Sequence, residues 1–322
     1  MIETDCDLIS YIRIFDYWMM ETIPDDFYKC ILKIKDKINI DLLNEEFPNN
    51  ELVNEIKFII ETPNHKICGY FASIGNLELL KFSKENGFSW LVKNVCVPTE
   101  YGYEWLIDDT CDKAASYGQL DCLKYAYENG CSWNYLTCYE SAKYGHIECL
   151  KYAHENKCPW DRSVCNIAAL HGNLDCLRYA HENGCIWDKY YVCVNALKNG
   201  HLDCLKYVHE NRGPMEIDLC NISIQSGYLN CLMYLHEIGY SWDSSTCDIA
   251  AEGGFVDCLK YLYENGCPMN DSTTFFAAKK GRLDCLKYAY ENGCEITEQA
   301  RYVAEQNDHL DCLEYILDLK LF

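Results

Sequence analysis

The sequence predicts an all-α fold, a helical solenoid of about nine stacked helix-turn-helix repeats, and three observations predict it. Residues 118 to 133 read Gly-Gln-Leu-Asp-Cys-Leu-Lys-Tyr-Ala-Tyr-Glu-Asn-Gly-Cys-Ser-Trp, and copies of that phrase run from Gly75 almost to the last residue. The opening glycine recurs at Gly118, Gly145, Gly172, Gly200, Gly227, Gly254 and Gly281, with Asp308 in its place at the end, so the period is 27 residues with one copy of 28. Each copy contains an apolar stretch closed by Asn-Gly or a variant of it, the signature of a short helix with a left-handed cap.

Each unit from Thr110 onward parses into two short helices. The first, Thr110 to Tyr117, opens on a polar residue and carries the small pair Ala114-Ala115, which lets neighbouring helices approach closely. The second begins after Gly118 and ends at Asn129-Gly130. The first repeat spans about Cys68 to Trp90, and 43 residues then separate Gly75 from Gly118, one period plus 16. The extra stretch, 91–109, holds Pro98 and the triplet Tyr101-Gly102-Tyr103 and reads as a long loop or a degenerate helix. The chain divides accordingly into residues 1–66, a helical N-terminal cap or small docking segment, and residues 67–322, the repeat array. Within the cap, helical spacing covers Leu8 to Met20, Phe27 to Leu43 and Glu51 to Glu61, with Pro24 opening the second helix.

Composition narrows the function. Fifty acidic against 28 basic residues give a formal charge of -22, which repels nucleic acid and anionic membranes and suits a protein partner. The acidic start Met1-Ile2-Glu3-Thr4-Asp5 is no signal peptide, and no apolar run reaches the ~18 residues of a membrane span. Twenty-three cysteines, an odd number, read as thiols in a reducing cytoplasm or nucleus.

Cysteine fills three columns of the repeat: Cys122, Cys149 and their equivalents on helix two, Cys111, Cys138 and theirs on helix one, and Cys131, Cys158 and theirs after the capping glycine. Leu79, Thr274 and Gly213 interrupt the three columns in turn, and no unit has Cys-x-x-Cys spacing, so the columns read as core and no metal is expected. Tyrosines from Tyr125 to Tyr315 face inward on helix two, and Trp133, Trp160, Trp187 and Trp242 join consecutive units. His154, His181, His209 and His236 form one column with Tyr127, Tyr263 and Tyr290. Rungs about 10 Å apart cannot share a metal ion, so the column reads as a half-buried aromatic edge with pH sensitivity as its sharper use. The Asp121, Lys124 and Glu128 columns read as i,i+3 and i,i+4 pairs on a solvated face. No phosphate loop, Gly-x-Ser-x-Gly or His-Glu-x-x-His motif is present, so no cofactor and no enzymatic activity are expected.

The order Thr, Ala-Ala, x-x-Gly-x-Leu, two apolar, Lys, three apolar, x-x-Gly, small, in Thr110 to Cys131, resembles the ankyrin repeat over about 250 residues. The six residues by which the usual unit is longer are missing between Trp133 and Thr137, so the β-hairpin fingers are expected to be shortened or absent. This short, cysteine-rich form is similar to repeats of large DNA viruses and some protists. The resemblance implies a non-catalytic protein-protein interaction scaffold, monomeric and cytoplasmic (host cytoplasm if viral), binding another protein along the concave face of the array. Specificity then belongs where the repeats disagree, just before the opening glycine: Tyr117, Tyr144, His171, Asn199, Lys279 and Lys280 are the candidate partner-binding residues. The alternative is a ubiquitin-ligase substrate adaptor, since Ile23 to Leu32 resembles the opening of an F-box.

Overall fold

In the computed structural model the described residues are 25–35, 51–61, 64–88, 95–99, 102–106, 109–212 and 219–320, with Leu8, Ile12, Ile38, Leu43 and Phe47. The expected helix over Leu8 to Met20 lies outside them except for Leu8 and Ile12, as do Pro24 and Trp90. The chain forms two compact units, Met1–Asp161 and Arg162–Phe322.

The first unit opens with α1 (Asp25–Ile34) and α2 (Glu51–Glu61), followed by the helix pairs α3 (Asn64–Ser73) and α4 (Leu77–Glu85), α5 (Thr110–Ser116) and α6 (Leu120–Glu128), and α7 (Tyr135–Lys143) and α8 (Ile147–Glu155). The second unit contains six pairs: α9 (Ser163–Leu170) and α10 (Leu174–Glu182), α11 (Lys189–Lys198) and α12 (Leu202–Glu210), α13 (Leu219–Gln225) and α14 (Leu229–Glu237), α15 (Ser244–Gly253) and α16 (Val256–Glu264), α17 (Asp271–Lys279) and α18 (Leu283–Glu291), α19 (Glu298–Gln306) and α20 (Leu310–Asp318). Within each unit, first helices stack on first helices and second helices on second helices, as a helical solenoid requires.

The turn inside each pair follows from the glycine. Gly118 takes φ +71°, and the Gln119 amide donates to the Ala114 carbonyl at 2.8 Å, which closes α5 with a Schellman-type bond. Asp308 adopts the same left-handed state at φ 57°, and Lys157 and Arg212 adopt it where other repeats cap helix two with glycine, so the register holds although the residue is strained.

The connection between repeats is short because it caps the next helix directly. After the α6 cap the chain passes through Cys131 to Trp133 and reaches Asn134, whose side chain accepts from the Leu136 amide at 2.7 Å. Asp188, Asp243 and Asn270 play the same part before α11, α15 and α17. Among the described residues these connections contain no strand, which agrees with the expected loss of the fingers.

One segment departs from expectation. Residues within 91–109, expected as a loop or degenerate helix, pair as an antiparallel hairpin, β1 (Val95–Thr99) with β2 (Gly102–Leu106), Val95 opposite Leu106 and Thr99 opposite Gly102. The physical reason is local. Val95 and Val97 are β-branched and alternate with their neighbours, aromatic Tyr103 and Trp105 favour strand, and Gly102 and Pro98 suit a two-stranded ribbon with open edges.

The first unit's core joins the N-terminal helices to the first repeat. Phe27, Ile31 and Leu32 of α1 and Ile56 of α2 are buried with Phe71, Leu79 and Leu80, and the Tyr28 ring meets the Phe71 ring edge-on at 6.0 Å.

Candidate functional site

The candidate residues share one structural position. Tyr117, Tyr144, His171, Asn199 and Lys280 are the C-terminal cap residues of α5, α7, α9, α11 and α17, and Lys279 is the last residue of α17. In the first unit Tyr117 and Tyr144 come together. They line a groove of about 740 Å³ with Asp109, Asp112, Lys113, Ser116, Leu136, Glu140, Lys143 and His146. Both rings are open to solvent, Tyr117 at 59% and Tyr144 at 51% of full exposure. Lys143 lies 4.7 Å from the Tyr144 ring centroid and 3.6 Å from Glu140, and its hydrogen bond with Tyr144 raises its pKa.

The second-unit candidates have intrachain partners. Asn199 Nδ2 donates to the Asn195 carbonyl at 2.9 Å, Lys280 Nζ lies 3.5 Å from Glu252, and Lys279 lies over the Phe276 ring at 5.7 Å. His171 is exposed.

A column that the sequence reading passed over ties the ends of the first helices to the next repeat: the residue after each opening glycine or its Asp308 equivalent, of which His146 lines the groove. His146, His201 and His309 place Nε2 at 3.1, 3.0 and 3.0 Å from the carbonyls of Ser116, Leu170 and Lys279, and Arg282 Nε donates to the Glu252 carbonyl at 3.3 Å. Each satisfies a carbonyl that the end of the preceding first helix leaves without a helical partner. The only sequence signal was the run of large or polar residues at that position.

The other histidine column is enclosed by aromatics. His154 stacks on Trp160 with centroids 3.8 Å apart, and His181 and His236 lie 4.0 and 4.1 Å from Trp187 and Trp242. Nδ1 of His181, His209 and His236 lies 2.7, 2.9 and 2.9 Å from the hydroxyls of Tyr207, Tyr234 and Tyr261, one repeat further on. These tyrosines were expected to point inward; instead most are half-buried at the seam between repeats, where the hydroxyl can reach the imidazole. A cation of the preceding repeat covers two of these rings, Arg178 over Tyr207 at 5.6 Å and Lys206 over Tyr234 at 5.7 Å, while Met233 holds the equivalent position before Tyr261.

Burial lowers the pKa of His154, and burial together with the charge of Lys189 lowers that of His181. A depressed folded-state pKa means that the unfolded chain takes up the proton first. The neutral imidazoles therefore contribute stability that is present above the ordinary value of 6.5 and lost as pH falls below it. The melting temperature of the protein is expected to drop between pH 7.5 and 5.5, and His154→Tyr with His181→Tyr to flatten that drop. Tyrosine occupies the column at Tyr127, where it stacks on Trp133 at 3.6 Å, so the variant keeps the packing. Equal pH slopes in thermal melts of the two proteins would remove the histidines from the account.

Among the described residues every thiol but that of Cys30 is buried. Burial first, and then a neighbouring acidic residue, pushes Cys122 up to about 11, and Cys149 and Cys204 up to about 12. Half-buried polar links cross the repeats beside them: Thr137 donates to Asp112 at 2.6 Å and Thr273 to Asp248 at 2.8 Å. Among the described residues no group of three or more His, Cys, Asp or Glu side chains could hold a metal ion, and no helix is long and apolar enough to cross a membrane.

Paired helices in 27-residue register, stacked layer on layer within each unit, define a helical repeat protein. The family model for ankyrin repeats matches residues 138–181. The columns of that segment recur in the other repeats, so the array is similar to ankyrin repeats, whose units are modules of protein-protein interaction. Among solved structures, the ankyrin repeat domain of human ASB11 is similar at 18% identity and a TM-score of 0.35, over 58% of this chain and 85% of that one. No curated protein matches the chain.

Proposed function

We propose that the chain is a non-catalytic scaffold that binds another protein through the C-terminal ends of its first helices, with the groove between α5 and α7 as the principal contact. The observation that carries this is the exposure of Tyr117 and Tyr144 on one groove, since large aromatic rings at a concave surface are typical binding anchors and cost little rotamer entropy to fix. The charge of -22 argues against nucleic acid and for a protein partner, bound by a monomer in a reducing cytoplasm or nucleus. His171, Asn199, Lys279 and Lys280 hold the equivalent helix-one ends in the second unit and are assigned as partner contacts there.

The described helices of residues 1–66, α1 and α2, are assigned to capping the first repeat. Phe27, Ile31 and Leu32 already bury their side chains in the core that includes Leu79 and Leu80, which leaves these three unavailable for an F-box-like use of the segment. Affinity purification from the native cell with quantitative mass spectrometry tests both points. Tyr117→Ala with Tyr144→Ala is expected to lower capture of the partner about 10-fold or more, the effect of losing two anchors. Far-UV dichroism should be unchanged, because both side chains are exposed. Unchanged capture would overturn the groove. Recovery of a ligase-core subunit that disappears when residues 1–66 are deleted would overturn the cap reading.

A further inference from the structure

Two of the cysteine columns meet. Helix one of a repeat carries a cysteine at its start, and the chain returns twenty residues later with the cysteine that follows the capping glycine of helix two. Cys111 Sγ lies 3.1 Å from Cys131 Sγ, Cys247 Sγ lies 2.9 Å from Cys267 Sγ, and the Cys165 and Cys185 thiols are hydrogen-bonded to each other. All six are buried thiols, each pair within one repeat. Two sulfurs at this separation, on segments held by the Schellman turn on one side and an N-cap on the other, need little backbone movement to bond.

We propose that these pairs are redox-active dithiol sites, each able to close into a disulfide inside its own repeat when the protein meets a small two-electron oxidant such as hydrogen peroxide. The Cys267 thiolate attacks one peroxide oxygen, the O–O bond breaks, and a sulfenic acid forms with release of hydroxide, which takes up a proton as water. The Cys247 sulfur then attacks Cys267 sulfur, the S–O bond breaks, and the second oxygen leaves as water. Two thiols lose two electrons and two protons, and one peroxide becomes two waters. Peroxide is small enough to enter during local opening of a repeat, as bulkier disulfides are not. Hydrogen bonding from Cys247 lowers the pKa of Cys267, while Cys247 itself is pushed up by that bond and by burial, so the pair has a defined nucleophile and a defined resolving thiol.

Three other repeats supply controls. Cys193 and Cys220 occupy the helix-one column where the return position is Gly213 and Tyr240, and Thr274 faces the segment of Cys294 with its hydroxyl on the Glu295 carbonyl at 2.6 Å. Closure would tie the start of helix one to the cap of helix two and stiffen selected repeats while leaving these free.

The test is a peptide map. The full chain, purified with reductant and then desalted, is treated with hydrogen peroxide, blocked with N-ethylmaleimide and digested without reduction. Disulfide-linked peptides joining 247 to 267, 165 to 185 and 111 to 131 are expected, with 247 to 267 appearing first and Cys193 and Cys220 recovered alkylated. The oxidised protein should melt at a higher temperature than the reduced one, reversibly on adding dithiothreitol. Alkylated or over-oxidised cysteines at the six positions, or links mainly between repeats or molecules, would overturn the proposal. Cys267→Ala should remove the first link and spare the other two; if that variant does not fold, the wild-type map decides alone.

Discussion

Gly227→Ala is expected to destabilise the protein far more than Gly266→Ala, by about 2–5 kcal/mol against about 1–2, as read from urea unfolding of each variant. Both glycines hold left-handed backbone, φ +76° and +84°, so both substitutions meet the same penalty for an L side chain. They differ in what the new methyl group meets. At Gly266 nothing lies within 4 Å of the added carbon, whereas at Gly227 it runs into the Phe255 ring, which cannot bend aside as a flexible chain would. Gly254, φ +83°, should fall between them, because its obstacle is Arg282 Cδ at 2.7 Å on a side chain that can swing into solvent at the loss of its bond to the Glu252 carbonyl. Equal costs at the three positions would mean that the opening glycine is selected by backbone conformation alone.

That double demand was only half legible in the sequence. The glycines announced the turns, and the turns set the helix boundaries: Leu120 begins α6 and Glu51 to Glu61 is α2, as the pattern requires. What occupies the space over each glycine could not be read, because the occupant belongs to the next repeat, 28 residues on at Phe255, and becomes a neighbour only through stacking. The lysine column shows the same limit. Lys151 with Glu148 at 2.8 Å and Lys260 with Asp257 at 3.8 Å form the local pairs expected. Yet Lys260 also stands 6.0 Å from the Tyr288 ring centroid and Lys124 5.8 Å from that of Tyr152, contacts whose register exists only between repeats. The strip of candidate residues was legible as a position, since helix-one caps follow from the glycine. Its groove was not, because Asp109 precedes the array's regular part and Leu136 and Glu140 come from another repeat. The hairpin at 95–106 was missed because a single departure from a period carries no periodicity of its own.

The second large effect is expected where helix one meets helix one. The first of the two small residues is Ala114, Ser141, Ala168, Ala196, Ser223, Ala250, Ala277 and Ala304 in successive repeats, and all are fully buried. The second is less strict, since Leu197 and Ile224 stand beside Ala115 and Ala251 at equal burial. On helix two, Ala289 alternates with Leu235, Leu262 and Ile316, again fully buried. One substitution made in the three columns therefore separates closeness of helices from burial. Ala250→Leu forces apart α15 and the first helices on either side, α13 and α17, and should cost about 3 kcal/mol or more, since neither neighbour can yield without disturbing its own far side. Ala251→Leu should cost about 1 kcal/mol, and Ala289→Leu about the same or less, because the fold already accommodates branched residues there. The first repeat gives the physical reason. Phe71 stands in the strict column and is fully buried, but it packs on Tyr28 of α1, so a large ring is admitted where the neighbour on one side is the cap and not another first helix. If Ala250→Leu and Ala251→Leu unfold at the same urea concentration, burial and not helix approach governs the layer, and the small residues in that column need another cause.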